Sequence, residues 1–348
     1  MWKNLLLSII TIWILLFALE GSSRILSRSL YVYDETLGYT LKPDTVHTHK
    51  SDVFNVRYRI NKFGYRGKSY SKNKPLGKFR IVLIGDSHGF GWGINEDKNI
   101  FATIIDQRLA GVELINLSVP GYGTDQEFLR LKKEGLAYHP NLVILQISEN
   151  DFTEIMNPVM YEKPKPFFIL HNGKLLLKNI PVKKDCSSSA QYYLECLHIP
   201  FTDWLKRKSV AFNVIDRRHR KLMLRLGTYF KNSNAERSTK NKNITVIDDY
   251  SIKLFKAIIS EMSNELKIMG IKIMIIHWNR YLSESGKINH TGIPVIDLYP
   301  AILKNKDKDV LIPNDGHINI NGHRLIAEEL LKVLRKNKYI SEAECSIL

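Results

Sequence analysis

Phe79-Arg80-Ile81-Val82-Leu83-Ile84 runs directly into Gly85-Asp86-Ser87-His88. All of the first six residues except Arg80 are apolar, and a short apolar run bounded by glycine predicts a buried parallel strand. Gly89, Gly91 and Gly93 follow, then helical spacing from Asp97 through Phe101, Ile104, Ile105 and Leu109. A strand–turn–helix corner places Ser87 at the carboxyl edge of a sheet, where open α/β folds build their sites. A serine there has an exposed hydroxyl and an N–H near a helix N-terminus, which favours developing negative charge. Two readings stand on this stretch. One is a strained elbow carrying a nucleophile; the other is a plain turn in which Asp86 and Ser87 cap a helix. His88 reads as a cap or a packed side chain and is given no role.

Working outward, residues 112–117 (Val-Glu-Leu-Ile-Asn-Leu) predict a second strand, ending in Ser118-Val119-Pro120-Gly121-Tyr122-Gly123. Thr124 is placed to cap a helix carrying Phe128, Leu129, Leu131 and Leu136, with Glu127 at capping-box spacing. Residues 142–147 predict a third strand that ends in Ser148-Glu149-Asn150-Asp151. Three strands alternating with two helices over about seventy residues predict a parallel sheet. The pattern breaks over residues 152–248, which hold Pro158, Pro164, Pro166, Pro181 and Pro200, two short apolar runs and the basic stretch 217–221. Such an insertion at the mouth of a sheet reads as a lid or as a disordered loop. Periodicity returns with an amphipathic helix from Asp249 to Gly270, a fourth strand at 271–276, a short fifth at 295–298 and a closing helix from Asn321.

Before Phe79, residues 24–78 alternate at Phe54, Val56, Tyr58 and Ile60 and predict a short antiparallel or hairpin region, with 69–78 a polar linker. Residues 5–19 are apolar except for Ser8 and Thr11. That length suits a membrane span of about 18 residues if Trp2 and residues 21–23 sit in the interfaces. Glu20-Gly21-Ser22-Ser23 is a poor cleavage site, so residues 1–23 read as an uncleaved anchor. Lys3 places the N-terminus inside and the catalytic body on the exported side, although Arg24 and Arg28 pull the other way. The formal net charge is +16 over 348 residues, which suits an anionic lipid or glycan surface. No basic repeat interleaved with aromatics points to nucleic acid. Cys186 and Cys196 could pair in an oxidising compartment, while Cys345 leaves the count odd.

Gly85-Asp86-Ser87, Gly121, Asn150-Asp151 and Asp315-Gly316-His317 thus come at strand ends and in one late loop, in that order. Here the chain resembles the SGNH (GDSL-type) hydrolase superfamily, over residues 79–151 and 311–336. The resemblance implies a flavodoxin-like three-layer α/β/α domain spanning 79–340. It also implies a triad of Ser87 as nucleophile, His317 as base and Asp315 as its orienter, with an oxyanion hole of the Ser87 and Gly121 N–H groups and the Asn150 amide. The expected activity is hydrolysis of an O-acyl ester on an envelope glycan or lipid. The alternative is O-acyl transfer from a membrane acyl-donor partner, and a third reading is a non-catalytic glycan-binding module.

Three positions depart from the family's pattern. Asn314 stands where many members have the Asp, and Asp315 sits two before His317, as in SGNH-like polysaccharide acetyltransferases. Ser148 replaces a glycine, and Glu149 adds a charge whose side chain is expected to point away. No cofactor or metal is implied: His323 falls six positions after His317 on the closing helix, and His277 reads as a core histidine. The glycines after Ser87 lack the Lys-Ser/Thr of a phosphate loop.

Overall fold

A computed structural model of the chain describes residues 29–161, 163–183, 249–288, 291–305, 309–337 and 339–340, and near the N-terminus 2–3, 10–16 and 18. The chain divides into two units, Met1–Ser29 with Ser187–Ile244 and Leu30–Cys186 with Thr245–Leu348. Every element named below belongs to the second. Of the expected membrane span, residues 10–16 and 18 are described and helical. Among the described residues no helix is long and apolar enough to cross a membrane, so the expected transmembrane helix is not shown. The three cysteines and the basic stretch 217–221 lie outside the described residues.

Two antiparallel hairpins come first: β1 (Tyr31–Asp34) with β2 (Gly38–Leu41), then β3 (Thr45–Lys50) with β4 (Asn55–Ile60). The alternation read in β4 buries Val56, Tyr58 and Ile60. Then follow β5 (Phe79–Ile84), α1 (Ser87–Phe90), α2 (Phe101–Arg108), β6 (Val112–Asn116), α3 (Thr124–Arg130), β7 (Leu142–Gln146) and α4 (Asp151–Glu154). The described part of the insertion forms β8 (Val159–Met160), β9 (Lys163–Pro164), β10 (Phe167–His171) and β11 (Lys174–Lys178). The chain closes with α5 (Asp249–Ile268), β12 (Lys272–His277), α6 (Arg280–Ser285), β13 (Val295–Asp297), α7 (Tyr299–Lys304) and α8 (Ile320–Lys336).

Five strands make one parallel sheet in the order β13-β12-β7-β5-β6. Read from β6, this is the flavodoxin-like order, with its switch point between β5 and β7. Period-two alternation divides the strand residues between two cores. Val82, Ile84, Val143 and Leu145 join α5 and the N-terminal hairpins on one face, whereas Ile81, Leu83, Leu142 and Ile144 join α2 and α8 on the other. The result is a three-layer α/β/α domain around a parallel sheet, as the resemblance implies.

The segment before Phe79 shares the first core and is pinned by two buried arginines. Arg80 is fully buried and donates to Glu113 at 2.6 Å and to the carbonyls of Ser71, Lys72, Asn73 and Tyr138. The stretch read as a polar linker is therefore held by its carbonyls. Arg66 pairs with Asp97 and donates to the carbonyls of Gly91 and Ile94, which fixes the chain that leaves α1.

One expected cap is corrected. Gly123 occupies the N-cap position of α3, and the Thr124 hydroxyl donates instead to Asp151 Oδ1 at 3.0 Å. The capping box fails because α3 is buried on every side, even at Asp125, Gln126, Glu127 and Arg130. Gln126 is spent on the Leu37 carbonyl of the β1–β2 hairpin and Arg130 on that of Gly64.

Candidate active site

β5 stops at Gly85 because the chain must pass the end of β7 there. A Cβ on Gly85 would lie 2.6 Å from Gln146 Oε1, and one on Gly89 would lie 2.3 Å from Ser118 Oγ. Those close approaches are used: Gln146 Oε1 accepts the N–H groups of Asp86 and Gly89, and Asn116 Nδ2 donates to the Gly89 carbonyl. Asp86 caps α1 through the His88 N–H at 2.8 Å. The Asp86–Gly89 turn is thus fastened to the ends of β6 and β7 by two amide side chains, Asn116 and Gln146, each the last residue of its strand.

Ser87 Oγ lies 2.7 Å from His317 Nε2, and His317 Nδ1 lies 2.5 Å from Asp315 Oδ1. A carboxylate facing Nδ1 holds the proton there and leaves the Nε2 lone pair toward Ser87. The loop that carries both residues is clamped by Ile312 N–H to the His317 carbonyl and by a bridge between Leu311 and Ile318. Asn319 then caps α8 through the N–H groups of Asn321 and Gly322. Asp315 reaches the imidazole from two residues upstream because Asn314 and Gly316 take positive φ angles of 60° and 92°.

Gly121 sits in the loop after β6 with φ +82°, and a Cβ there would meet the Tyr161 ring at 2.7 Å. Asn150 follows β7, the strand beside β5 in the sheet, and its half-buried side chain reaches the Glu154 carboxyl. Asp151 ties this loop together, accepting from the Ser148 N–H at 2.7 Å and from Thr124. The Glu149 carboxylate accepts from Asn279 Nδ2 at 3.3 Å.

Two further histidines singled out in the sequence, His323 and His277, have ordinary places. His323 Nδ1 accepts the Phe101 N–H at the start of α2, and burial drives its pKa down to about 3. His277 is buried, with burial lowering its pKa, and lies 3.8 Å from Asp297. Among the described residues no group of His, Cys, Asp or Glu is arranged to hold a metal ion. His88 is the exception to the plain reading. Its ring stands 4.5 Å from that of His317, with Trp278 edge-on to His88 and Trp92 6.4 Å from the His317 ring. Burial lowers its pKa to about 4, so it is neutral at pH 7.

A buried acidic group that sequence reading missed lies among the loops of this site: Asp86, Glu127, Asp151 and Glu154 are each at most 2% exposed. Burial first, and then mutual repulsion, raise Glu127 and Asp151 well above the carboxylate range and Glu154 to about 7. A carboxyl whose folded pKa is raised contributes stability that is fully present below its unfolded value of about 4.3 and is lost as pH rises through the folded one. We therefore expect Glu154→Gln to lie closest to the parent's melting temperature near pH 4, to gain on it as pH rises from about 4 to about 7, and to keep a constant advantage above that. A melting-temperature difference that stays flat with pH would show that Glu154 is not holding its proton.

Residues 81–330 match the family model of the GDSL-like lipases/acylhydrolases. The chain belongs to that family. As a GDSL-type (SGNH) hydrolase it is an esterase/acylhydrolase of the serine class. Among solved structures it is similar to a lipolytic protein of the G-D-S-L family from Desulfitobacterium hafniense DCB-2, at 12% identity and a TM-score of 0.41, covering 74% of this chain and 100% of that one. A G-D-S-L family lipolytic protein from Veillonella parvula DSM 2008 gives 13% identity, a TM-score of 0.37 and coverage of 74% and 99%. A two-domain esterase active on acetylated mannans gives 12%, 0.38, and 76% and 50%. No curated protein matches the chain.

Proposed function

We propose that Ser87 is the nucleophile, His317 the general base and Asp315 the group that orients it. The observation that supports this most directly is the continuous pair of contacts, 2.7 Å from Ser87 Oγ to Nε2 and 2.5 Å from Nδ1 to Asp315. Ser87 Oγ bonds to the ester carbonyl carbon while its proton passes to Nε2. The tetrahedral oxyanion is held by the Ser87 and Gly121 N–H groups and by Asn150. The Asn150 amide has two N–H bonds, so one can stay on Glu154 while the other serves the oxyanion. Collapse expels the alcohol, which takes the proton from His317, and water repeats the cycle to release the acid.

The substrate is an O-acyl ester, acetyl or another short acyl group, on a cell-envelope glycan or lipid. A net charge of +16 suits such an anionic surface, and residues 5–19 would anchor the protein to the membrane with its catalytic body exported. The Asp-x-His spacing of Asp315 and His317 favours a second reading, in which a sugar hydroxyl replaces water and the acyl group, received from a membrane donor protein, is transferred. A fluorophosphonate probe on the full chain, followed by peptide mapping, tests the triad. Labelling at Ser87 that disappears in His317→Ala is expected; labelling at another serine would overturn the assignment. Product analysis with acetylated xylan or mannan then separates the two outcomes, as free acetate or as an acetylated acceptor sugar.

A further inference from the structure

The loop that carries Gly121 is neither helix nor strand, and Gly121 is in the left-handed region at φ +82°. A glycine in such a loop has no side chain to fix the two peptide planes on either side of it. Its N–H has no acceptor among the described residues, while both neighbouring carbonyls are held from outside the loop. Tyr31 donates its hydroxyl to the Pro120 carbonyl at 3.4 Å, and Tyr39 donates to the Gly121 carbonyl at 2.6 Å. Within one planar trans peptide the C=O and N–H point in opposite directions. Holding the Pro120 oxygen therefore aims the Gly121 N–H, and holding the Gly121 oxygen fixes the next plane.

Both donors come from the β1–β2 hairpin, outside the part of the chain that matches the family model. The hairpin is itself tied down. The Tyr122 hydroxyl returns to the Tyr39 carbonyl, and the Tyr31, Tyr39 and Tyr122 rings pack edge to face at 5.2 and 5.3 Å. The insertion backs it: Lys163 Nζ lies 3.8 Å and 4.3 Å from the centres of the Tyr31 and Tyr39 rings. At the hairpin turn a Cβ on Gly38 would come within 2.4 Å of the Pro164 oxygen.

We propose that the β1–β2 hairpin sets the oxyanion hole, with Tyr39, at 2.6 Å, the main anchor of Gly121 itself and Tyr31, at 3.4 Å, a weaker hold on the peptide that carries the Gly121 N–H. Neither touches the reacting atoms; each acts through the backbone of residues 120–121. A preorganised donor is useful because it needs no rearrangement when charge develops. The inference rests on the reading of Gly121 as an oxyanion donor.

The test uses the full chain and the variants Tyr39→Phe, Tyr31→Phe and the double. p-Nitrophenyl acetate turnover is counted per fluorophosphonate-labelled site, so loss of folded protein does not register as loss of rate. Removing a whole oxyanion donor costs about 10²–10³ in kcat, and loosening one should cost about tenfold for Tyr39→Phe and less for Tyr31→Phe. KM should stay within about twofold, because an interaction made only in the transition state is lost. The inhibition constant of a trifluoromethyl ketone, which adds to the serine as an oxyanion, should rise in parallel with the fall in kcat/KM. Unchanged kcat per labelled site in Tyr39→Phe and in the double variant, even with a lower melting temperature, overturns the proposal and leaves the tyrosines structural. If the double does not fold, Tyr39→Phe alone decides. Failure of the underlying reading is separate: the parent would then not label at Ser87, or Ser87→Ala would keep its activity.

Discussion

Ser87→Ala and His317→Ala are each expected to lose about 10⁴-fold or more in kcat/KM, with melting temperatures close to the parent's. In the proposed mechanism the Ser87 hydroxyl carries the new bond, and His317 Nε2, 2.7 Å away, is the acceptor for its proton. Without either, the remaining rate is what binding and the oxyanion donors supply. Because the two act as a unit, the double variant should be no slower than either single. Asp315→Asn should cost about one to two powers of ten less than His317→Ala, since the imidazole survives and only its tautomer and orientation are lost. Ester hydrolysis by purified variants, measured over the uncatalysed rate, decides the order. Equal and small losses at His317 and Asp315 would remove both from the triad despite their 2.5 Å contact.

What could be read in advance follows a physical division. Short apolar runs give the five strands, because burial on both faces of a parallel sheet favours apolar residues; Arg80, Glu113, Asn116 and Gln146 are among the buried exceptions. The order of the small and polar residues at the strand ends gives Ser87, Gly121 and Asn150 their places, because strand ends sit at one edge of such a sheet. The pair Asp315 and His317 is close in sequence, so its proximity needs no topology. The β10–β11 hairpin carries a signal that went unread: Asn172-Gly173 between two apolar runs, both with positive φ, as a tight hairpin turn requires.

The unread part is polar and tertiary. Glu127 and Asp125 look like solvated helix residues from their spacing, yet α3 is covered by the β1–β2 hairpin and the insertion. Lys165, fully buried and donating to Asp125, comes from that insertion 40 residues away. His88 was open between a cap and a packed side chain, and its packing against His317 depends on a loop 229 positions later. No local pattern encodes such contacts, because their partners are set by the fold.

Arg80 was the one visible exception in its strand, and it carries the second large expectation. Arg80→Met should destabilise the protein by about 3–5 kcal/mol, the usual result of removing one partner from a buried ion pair. The methionine keeps much of the volume, so the loss is polar. It leaves the Glu113 carboxylate, itself 9% exposed, without its cation, and it strips the carbonyls of Ser71, Lys72, Asn73 and Tyr138 of a donor. Glu113→Gln should cost less, because the guanidinium keeps those carbonyls and a hydrogen-bonding partner of similar shape. Urea midpoints of the two variants give the comparison. If Glu113→Gln costs as much as Arg80→Met, the ion pair alone holds this corner. A larger loss for Arg80→Met assigns the difference to the backbone of residues 71–73, the stretch that joins the N-terminal hairpins to the strand that leads to Ser87.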